Sequence, residues 1–169
     1  MNKPTFVEDP ARHPPQQNEF YLHLYLHHTP VGPNHNQSTI VRRAPRSFAT
    51  TVINDWPLYD GLGPNAAVIA RAQGLHAQAG MGAQSWHNTF SIVFTENTMF
   101  SGSSLQVMGP NVLEGEWAIV GGTGMFRLAQ GVIYKKLQER RGHTEIMELD
   151  IHGFGNPMRA GSFWSLGKP

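Results

Sequence analysis

The sequence predicts an all-β domain of antiparallel strands. Apolar and polar residues alternate with a period of two along several runs, and no segment shows a clear helical pattern. The 169 residues include 18 glycines and 12 prolines, which indicates many turns within one domain. Seven or eight such strands must protect their edges, either by closing into a barrel or by packing as a sandwich. The length of several runs favours closure, but the pattern leaves both architectures open.

Composition excludes several kinds of function. The formal net charge is +1, so the chain lacks the basic surface that binds nucleic acid or an anionic membrane. There is no cysteine, which excludes disulfides, thiolate metal sites and cysteine nucleophiles. The first residues lack the apolar segment of a secretory signal, and no run is long enough to span a membrane. We therefore expect a cytoplasmic protein.

The first half of the chain predicts an arm, two strands and a loop. Residues 1–18 carry four prolines and few bulky apolar side chains, which is typical of a flexible arm. Residues 20–27 alternate strictly and predict a strand, and residues 48–53 form a second β-type run. Turn-forming residues over 54–64 predict a loop. Residues 66–76 are ambiguous between a helix and a strand.

The second half predicts further strands. Residues 86–96 alternate most clearly, and 105–108 form a shorter run after a serine-glycine turn. Residues 144–154 place Met147, Leu149 and Ile151 on one face. The stretch 155–169 is an irregular tail.

A glycine cluster at residues 121–124 interrupts two β-rich runs, 115–120 and 126–137. Three glycines in four residues permit positive φ angles or a close backbone approach, as a tight turn between strands requires. A phosphate-binding loop is the alternative, but such a loop opens a helix, and β-formers follow here. The cluster therefore predicts a turn.

Several motifs in order resemble those of plant dirigent proteins. They are ARAQGLH at 70–76, FSIVFT at 90–95, GSSL at 102–105 and VGGTGMF at 120–126. Two more, NDWPLYDG at 54–61 and EWAIV at 116–120, resemble the monocot dirigent domains that are often fused to jacalin-type lectins. The resemblance covers residues 19–154.

The resemblance implies an eight-stranded antiparallel barrel like that of allene oxide cyclase, assembled as a homotrimer, with residues 66–76 as a strand. It also implies a function without a cofactor. Dirigent proteins bind phenoxy radicals made by a separate oxidase, a laccase or a peroxidase, and steer their coupling to one stereoisomer, as in lignan formation. A shaped cavity supplies orientation while the radical supplies the driving force. The apoplast is the location typical of the family.

Four polar positions of the family's coupling site hold other residues here. Leu24 and Met125 stand where lignan-forming members have aspartates, Gln130 replaces an arginine, and Phe100 replaces a tyrosine. Without these acids, base and hydroxyl the pocket cannot handle proton transfer, so we expect no pinoresinol-type activity. With Asp55, these four are the candidate pocket residues for a phenolic or other apolar ligand.

Two other functions stay open. A defence or stress-response module could bind glycans or proteins through an exposed loop, in which Trp56 and Tyr59 stack on a sugar beside Asp60. A cyclase or eliminating synthase could use Asp55, Glu148 or Asp150 as its acid or base. No catalytic motif distinguishes itself, so we expect no independent catalytic centre. We also expect no metal, because His23 and His27 lie about 13 Å apart along their strand.

Overall fold

The computed structural model describes residues 17–43, 48–81 and 85–156. They form nine strands and one short 3-10 helix, Gly124–Phe126. The strands are β1 (Asn18–His28), β2 (Gln37–Val41), β3 (Thr51–Tyr59), β4 (Val68–Gln78), β5 (Trp86–Phe94), β6 (Ser104–Pro110), β7 (Gly115–Thr123), β8 (Gln130–Arg141) and β9 (Thr144–Gly155). Within these ranges no helix has the length and apolar character needed to span a membrane.

Eight of the strands close into an antiparallel barrel. The sheet order is β1-β9-β8-β7-β6-β5-β4-β3-β2, and β1 also pairs with β3 through Tyr25 with Tyr59 and Leu26 with Leu58. This second pairing closes the sheet on itself, which removes its free edges. The short β2 lies outside the closed ring and pairs with the first residues of β3. The predicted all-β, eight-stranded barrel is confirmed.

Alternation along each strand defines the interior of the barrel. On β1, Leu24 and Leu26 are buried, and on β9, Met147, Leu149 and Ile151 are buried. Their neighbours along each strand are more exposed, as the period of two predicted, except for the buried Ile146. The β8–β9 turn also lies where expected, with Gly142 at φ +58°.

The predicted loop at residues 54–64 is wrong in its first half, because β3 continues through Tyr59. Asn54, Asp55 and Pro57 are turn-forming types, but Val52, Trp56 and Leu58 keep the period of two and are buried inside the barrel. Pro57 follows the residues that pair with β2 and precedes those that pair with β1. A missing N–H is tolerated at such a break in the ladder. The ambiguous segment 66–76 forms most of β4, the strand that the resemblance implied.

The predicted tight turn at residues 121–124 needs a correction. Strand β7 continues to Thr123, the 3-10 helix follows, and β8 starts only at Gln130. The expected close approach and positive φ are both present. A Cβ on Gly122 would lie 2.1 Å from the Phe126 carbonyl oxygen, and Gly124 has φ +60°. The glycines thus fold the 3-10 helix against the end of the barrel instead of forming a two-residue hairpin.

The predicted arm and tail lie almost entirely outside the described residues. β1 begins at Asn18 and β9 ends at Gly155.

Candidate ligand-binding site

One end of the barrel interior is filled by four phenylalanines, which we call the phenylalanine plug: Phe20, Phe94, Phe100 and Phe126. Their ring centroids lie 4.9 to 5.4 Å apart in four pairs that all share Phe94 or Phe126. The 3-10 helix supplies Phe126, and the connection after β5 supplies Phe100. Offset and edge-on ring contacts of this kind stabilise a core beyond the area they bury.

The five predicted pocket residues do not form one site. Leu24 is 2% exposed in the core, and Phe100 belongs to the phenylalanine plug. Met125 is 37% exposed beside the plug, and its backbone N–H donates to the Ser103 hydroxyl over 3.0 Å. Gln130 is exposed at the start of β8. Asp55 lies on the outer face of β3, where its carboxylate accepts a 2.6 Å bond from Arg71 Nε.

The predicted sugar-stacking loop is also corrected. Trp56 lies inside the barrel and is 2% exposed, so neither face of its indole is presented on a surface loop. The Tyr59 ring packs against His27 with centroids 4.2 Å apart. Asp60 accepts a 2.8 Å hydrogen bond from the backbone N–H of Ala67. The loop therefore offers no aromatic pair beside a free carboxylate.

Glu148 and Asp150, the other predicted acids, lie on the outer face of β9. Asp150 contacts His23 Nδ1 at 2.5 Å, and Glu148 contacts Lys136 Nζ at 3.0 Å. The candidate ligand atoms of His23, Glu148 and Asp150 all lie within 4.8 Å of one another. Because these side chains pair with each other and with Lys136, we assign no metal to the cluster.

The other end of the barrel holds a cavity of about 420 Å³, which we call the tryptophan mouth. It opens where β1 and β8 end and where β5 and β9 begin. Its lining comprises Leu26, His28, Trp56, Trp86, Asn111, Val112, Leu113, Trp117, Lys135, Arg140, Glu145 and Met147. The volume falls in the range of roughly 300–1,000 Å³ that small-molecule sites occupy. Aromatic walls with a few polar groups are the composition of such a site.

Packing and hydrogen-bond contacts with the protein hold two tryptophans of the mouth, Trp117 and Trp56, in place. Trp117 Nε1 donates to the Pro110 carbonyl over 2.8 Å, and a Cβ on Gly109 would lie 2.8 Å from Trp117 Cδ1. Phe90 contacts both Trp117 and Trp56, with centroid distances of 5.1 and 6.0 Å. These contacts fix the aromatic walls, so the cavity is formed before any ligand arrives.

Lys135 is the charged group deepest in the mouth. Its residue is 3% exposed, and its Nζ lies 4.8 Å from the centroid of the Trp117 ring. Besides this cation–π contact, the ammonium forms no hydrogen bond or ion pair with any of the described residues. Burial lowers the pKa of Lys135 to about 8, and the Glu145 carboxylate opposes that shift. The mouth therefore contains a weakly compensated cation.

The remaining ionisable groups of the mouth are paired. Arg140 Nε donates to Glu145 Oε1 over 3.1 Å, and Glu145 Oε2 lies 3.5 Å from His28 Nδ1. The other ring nitrogen of His28 contacts Gln37 Oε1 at 2.9 Å. Arg140 and His28 thus share one carboxylate in the lining, and Lys135 adds a positive charge to the mouth whenever it is protonated.

A buried polar layer lies behind the tryptophans. His76 packs between Trp56 and Trp86, with centroid distances of 5.4 and 5.3 Å, and pairs across the strands with Asn88. Five side-chain atoms in this layer are buried and have no hydrogen-bond partner within the described part of the chain: His76 Nδ1, both amide atoms of Asn88, Asn54 Oδ1 and Trp56 Nε1. Burial, with a smaller repulsion from His28, lowers the pKa of His76 to about 4. The histidine is therefore neutral at pH 7.

Sequence reasoning missed the residues that define this mouth, although one signal was present. Lys135 shares its strand face with Ile133 and Leu137, so its parity alone places a lysine inside the barrel. Trp86 and Asn88 likewise share one face of the strand predicted at residues 86–96, and that face points inward in β5. The meeting of these residues with His28 and Glu145 depends on barrel closure, which no single run reveals.

Comparisons with known proteins agree with this architecture. The family model described as "Dirigent-like protein" matches residues 20–154. The chain is 33% identical over 142 residues to dirigent protein 11 of Arabidopsis thaliana, covering 78% of this chain and 72% of the relative. It is 30% identical over 152 residues to pterocarpan synthase 1 of Glycyrrhiza echinata, covering 82% and 80%. A solved structure of a pterocarpan synthase dirigent protein superposes with a TM-score of 0.75 at 27% identity, covering 89% of this chain and 97% of the other.

Proposed function

Because the chain belongs to the dirigent-like protein family, we propose that it binds a phenolic or other apolar aromatic molecule and steers the coupling of its phenoxy radicals. The tryptophan mouth carries this proposal, since it combines a cavity of about 420 Å³ with three indole walls. A radical bound between fixed aromatic faces exposes one face to its coupling partner, which is sufficient to bias the stereochemistry. The opposite end of the interior is occupied by the phenylalanine plug.

The proposal includes partners that the chain does not provide. A laccase or peroxidase supplies the radicals, and the protein contributes orientation. A homotrimer is part of the proposal, supported by apolar side chains on the outer barrel face, such as Val93, Val120, Tyr134 and Phe154, which are at least 38% exposed. A monomeric mass by light scattering at micromolar concentration would contradict this assembly.

A coupling assay tests the proposed function. An oxidase is supplied with a panel of phenolic alcohols, aldehydes and acids, with and without the protein, and the dimers are separated by chiral chromatography. We expect an enantiomeric excess for at least one phenol, together with calorimetric binding of that phenol. Trp86→Leu, which removes a partly buried wall of the mouth, should abolish the excess. Phe48→Leu, which changes an exposed aromatic side chain before β3, should retain it.

Two results of the coupling assay would count against the proposed function or its place in the barrel. Racemic products for the whole panel, together with no calorimetric binding, would contradict the proposal. An excess that survives Trp86→Leu would place the ligand elsewhere.

A second candidate is a ring-closing or eliminating synthase. It is favoured by the relatives named pterocarpan synthases and by titratable groups in the mouth, where Lys135 has a pKa of about 8 and Glu145 contacts His28. A group with a pKa near neutrality can transfer protons in both directions. Product formed from a phenolic alcohol without any oxidant, and lost in Lys135→Met, would support a synthase over a coupling protein.

The finer resemblance, to monocot dirigent domains fused to jacalin-type lectins, also stays a proposal. It rests on residues 54–61 and 116–120. The glycan-binding alternative required an exposed Trp56, and that side chain is buried. A glycan array tests this alternative directly.

A further inference from the structure

Lys135 makes the tryptophan mouth a selective site and not only an apolar one. Its ammonium is buried on the inner face of β8 against the Trp117 ring, and it forms no ion pair with any of the described residues. The carboxylate of Glu145 is shared by Arg140 and His28, so Lys135 has no direct counter-ion in the part of the chain that the structure describes. A buried cation without a paired anion is costly, and a ligand anion would remove that cost.

The hydrogen-bonding groups of the mouth favour the same kind of ligand. Lys135 offers the N–H donors of an ammonium that pairs with no carboxylate among the described residues. Trp117 already donates to the Pro110 carbonyl, and the Glu145 oxygens are occupied by Arg140 and His28. The mouth thus has hydrogen-bond donors available while the Glu145 oxygens are occupied, so a ligand group rich in acceptors fits it better than a hydroxyl.

We propose that the ligand of the tryptophan mouth is an aromatic carboxylate, whose ring packs on the indoles and whose carboxylate pairs with Lys135. Hydroxycinnamates have this chemistry, whereas the corresponding alcohols are neutral. The inference rests on the proposed function, because it specifies the substrate class of the same cavity. It assigns Lys135 as the residue that determines specificity.

Isothermal titration calorimetry at about pH 7 tests the inference with one matched pair of probes, 4-hydroxy-3-methoxycinnamate and 4-hydroxy-3-methoxycinnamyl alcohol. A charge-assisted hydrogen bond predicts that the wild type binds the acid at least about tenfold more tightly than the alcohol. Lys135→Met should remove that preference while leaving binding of the alcohol equal or stronger. Lys136→Met is the control, because the neighbouring lysine points outward and pairs with Glu148.

If Lys135→Met fails to fold, the pH dependence of binding by the wild type tests the inference instead. Binding of 4-methoxycinnamate, which has no phenol to titrate, is followed in the wild type from about pH 7 to about pH 10. The groups around the carboxylate are Lys135, Arg140, Glu145 and His28, and among them the lysine, with a pKa of about 8, loses its charge in this range. Affinity for the acid should fall by about tenfold while affinity for 4-methoxycinnamyl alcohol stays constant.

The outcomes separate the two proposals. Equal or tighter binding of the alcohol by the wild type, or an acid preference retained in Lys135→Met, would overturn the inference and leave the proposed function intact. An acid affinity constant up to about pH 10 would also overturn it. Binding of neither probe would contradict the inference, and with no binding across the wider phenol panel it would contradict the proposed function too.

Discussion

A Cβ atom on Gly122 would lie 2.1 Å from the carbonyl oxygen of Phe126, so the end of β7 is in direct backbone contact with the 3-10 helix. That contact brings Phe126 over the end of the barrel, where its ring meets Phe20, Phe94 and Phe100. The glycine cluster is therefore the element that closes this end of the interior. Its role is packing and not phosphate binding.

Gly122→Ala should therefore destabilise the protein by about 2 kcal/mol or more, since backbone atoms cannot move aside as a flexible side chain can. Chemical denaturation, with the midpoint and slope fitted together, measures the change. Gly63→Ala is the control, because a Cβ there meets no atom of the described residues within 4 Å. A Gly122→Ala protein as stable as the control would show that the 3-10 helix is not held against β7.

Because of the buried His76, we expect the protein to lose stability in mild acid. Its pKa is about 4 in the folded protein and about 6.5 in the unfolded chain, where the imidazole is solvated. Between these values the unfolded chain binds the proton and the folded protein does not, so the free energy of unfolding falls as the pH falls. The stability that depends on a neutral His76 is fully present above about pH 6.5. Roughly 3 kcal/mol of it is lost by about pH 4.

The variant His76→Gln isolates this effect, because glutamine does not titrate. Denaturant unfolding at several pH values between about 4 and 7 should give a shallower pH dependence for the variant than for the wild type. His143→Gln, in the exposed β8–β9 turn, serves as the control and should follow the wild type. Parallel curves for wild type and His76→Gln would contradict the assignment.

The barrel could be predicted because its signals are local. Alternation over residues 20–27 and 144–154 survives in the structure, since each strand has one face in the core and one outside. Residues 54–59 contain turn-forming types that favour a loop, but burial of Trp56 and Leu58 inside the barrel outweighs that local propensity and makes them part of β3.

The site could not be predicted in the same way. The tryptophan mouth joins Trp56 on β3, Trp117 on β7 and Glu145 on β9, which are far apart in sequence. Their meeting depends on strand register and on the stagger with which β1 pairs with β3. The alternation along β8 is enough to predict that Lys135 points inward. That it pairs with no carboxylate of the described residues follows only from the positions of Glu145 and Arg140.

The unmodified protein should form no enantiomeric excess of pinoresinol from coniferyl alcohol and an oxidase. Leu24 is buried in the core and Phe100 is packed in the phenylalanine plug, so neither can exchange a proton with a quinone methide. Chiral chromatography of the products, with the oxidase alone as the reference, measures the excess. A clear excess would mean that another residue, such as Lys135, performs the proton transfer.

Restoring the two family aspartates should have unequal costs. Leu24→Asp places a carboxylate at a position that is 2% exposed and removes a packed side chain, so we expect a loss of about 3–5 kcal/mol. Met125 is 37% exposed beside the 3-10 helix, so Met125→Asp should cost less than about 1 kcal/mol. Denaturant unfolding of both variants at about pH 7 measures the difference, with Leu24→Met, of similar volume and no charge, as the packing control. If Leu24→Asp loses less free energy of unfolding than expected, water or a cation must reach the inner face of β1. The barrel would then have a second polar cavity near the position where lignan-forming members have an aspartate.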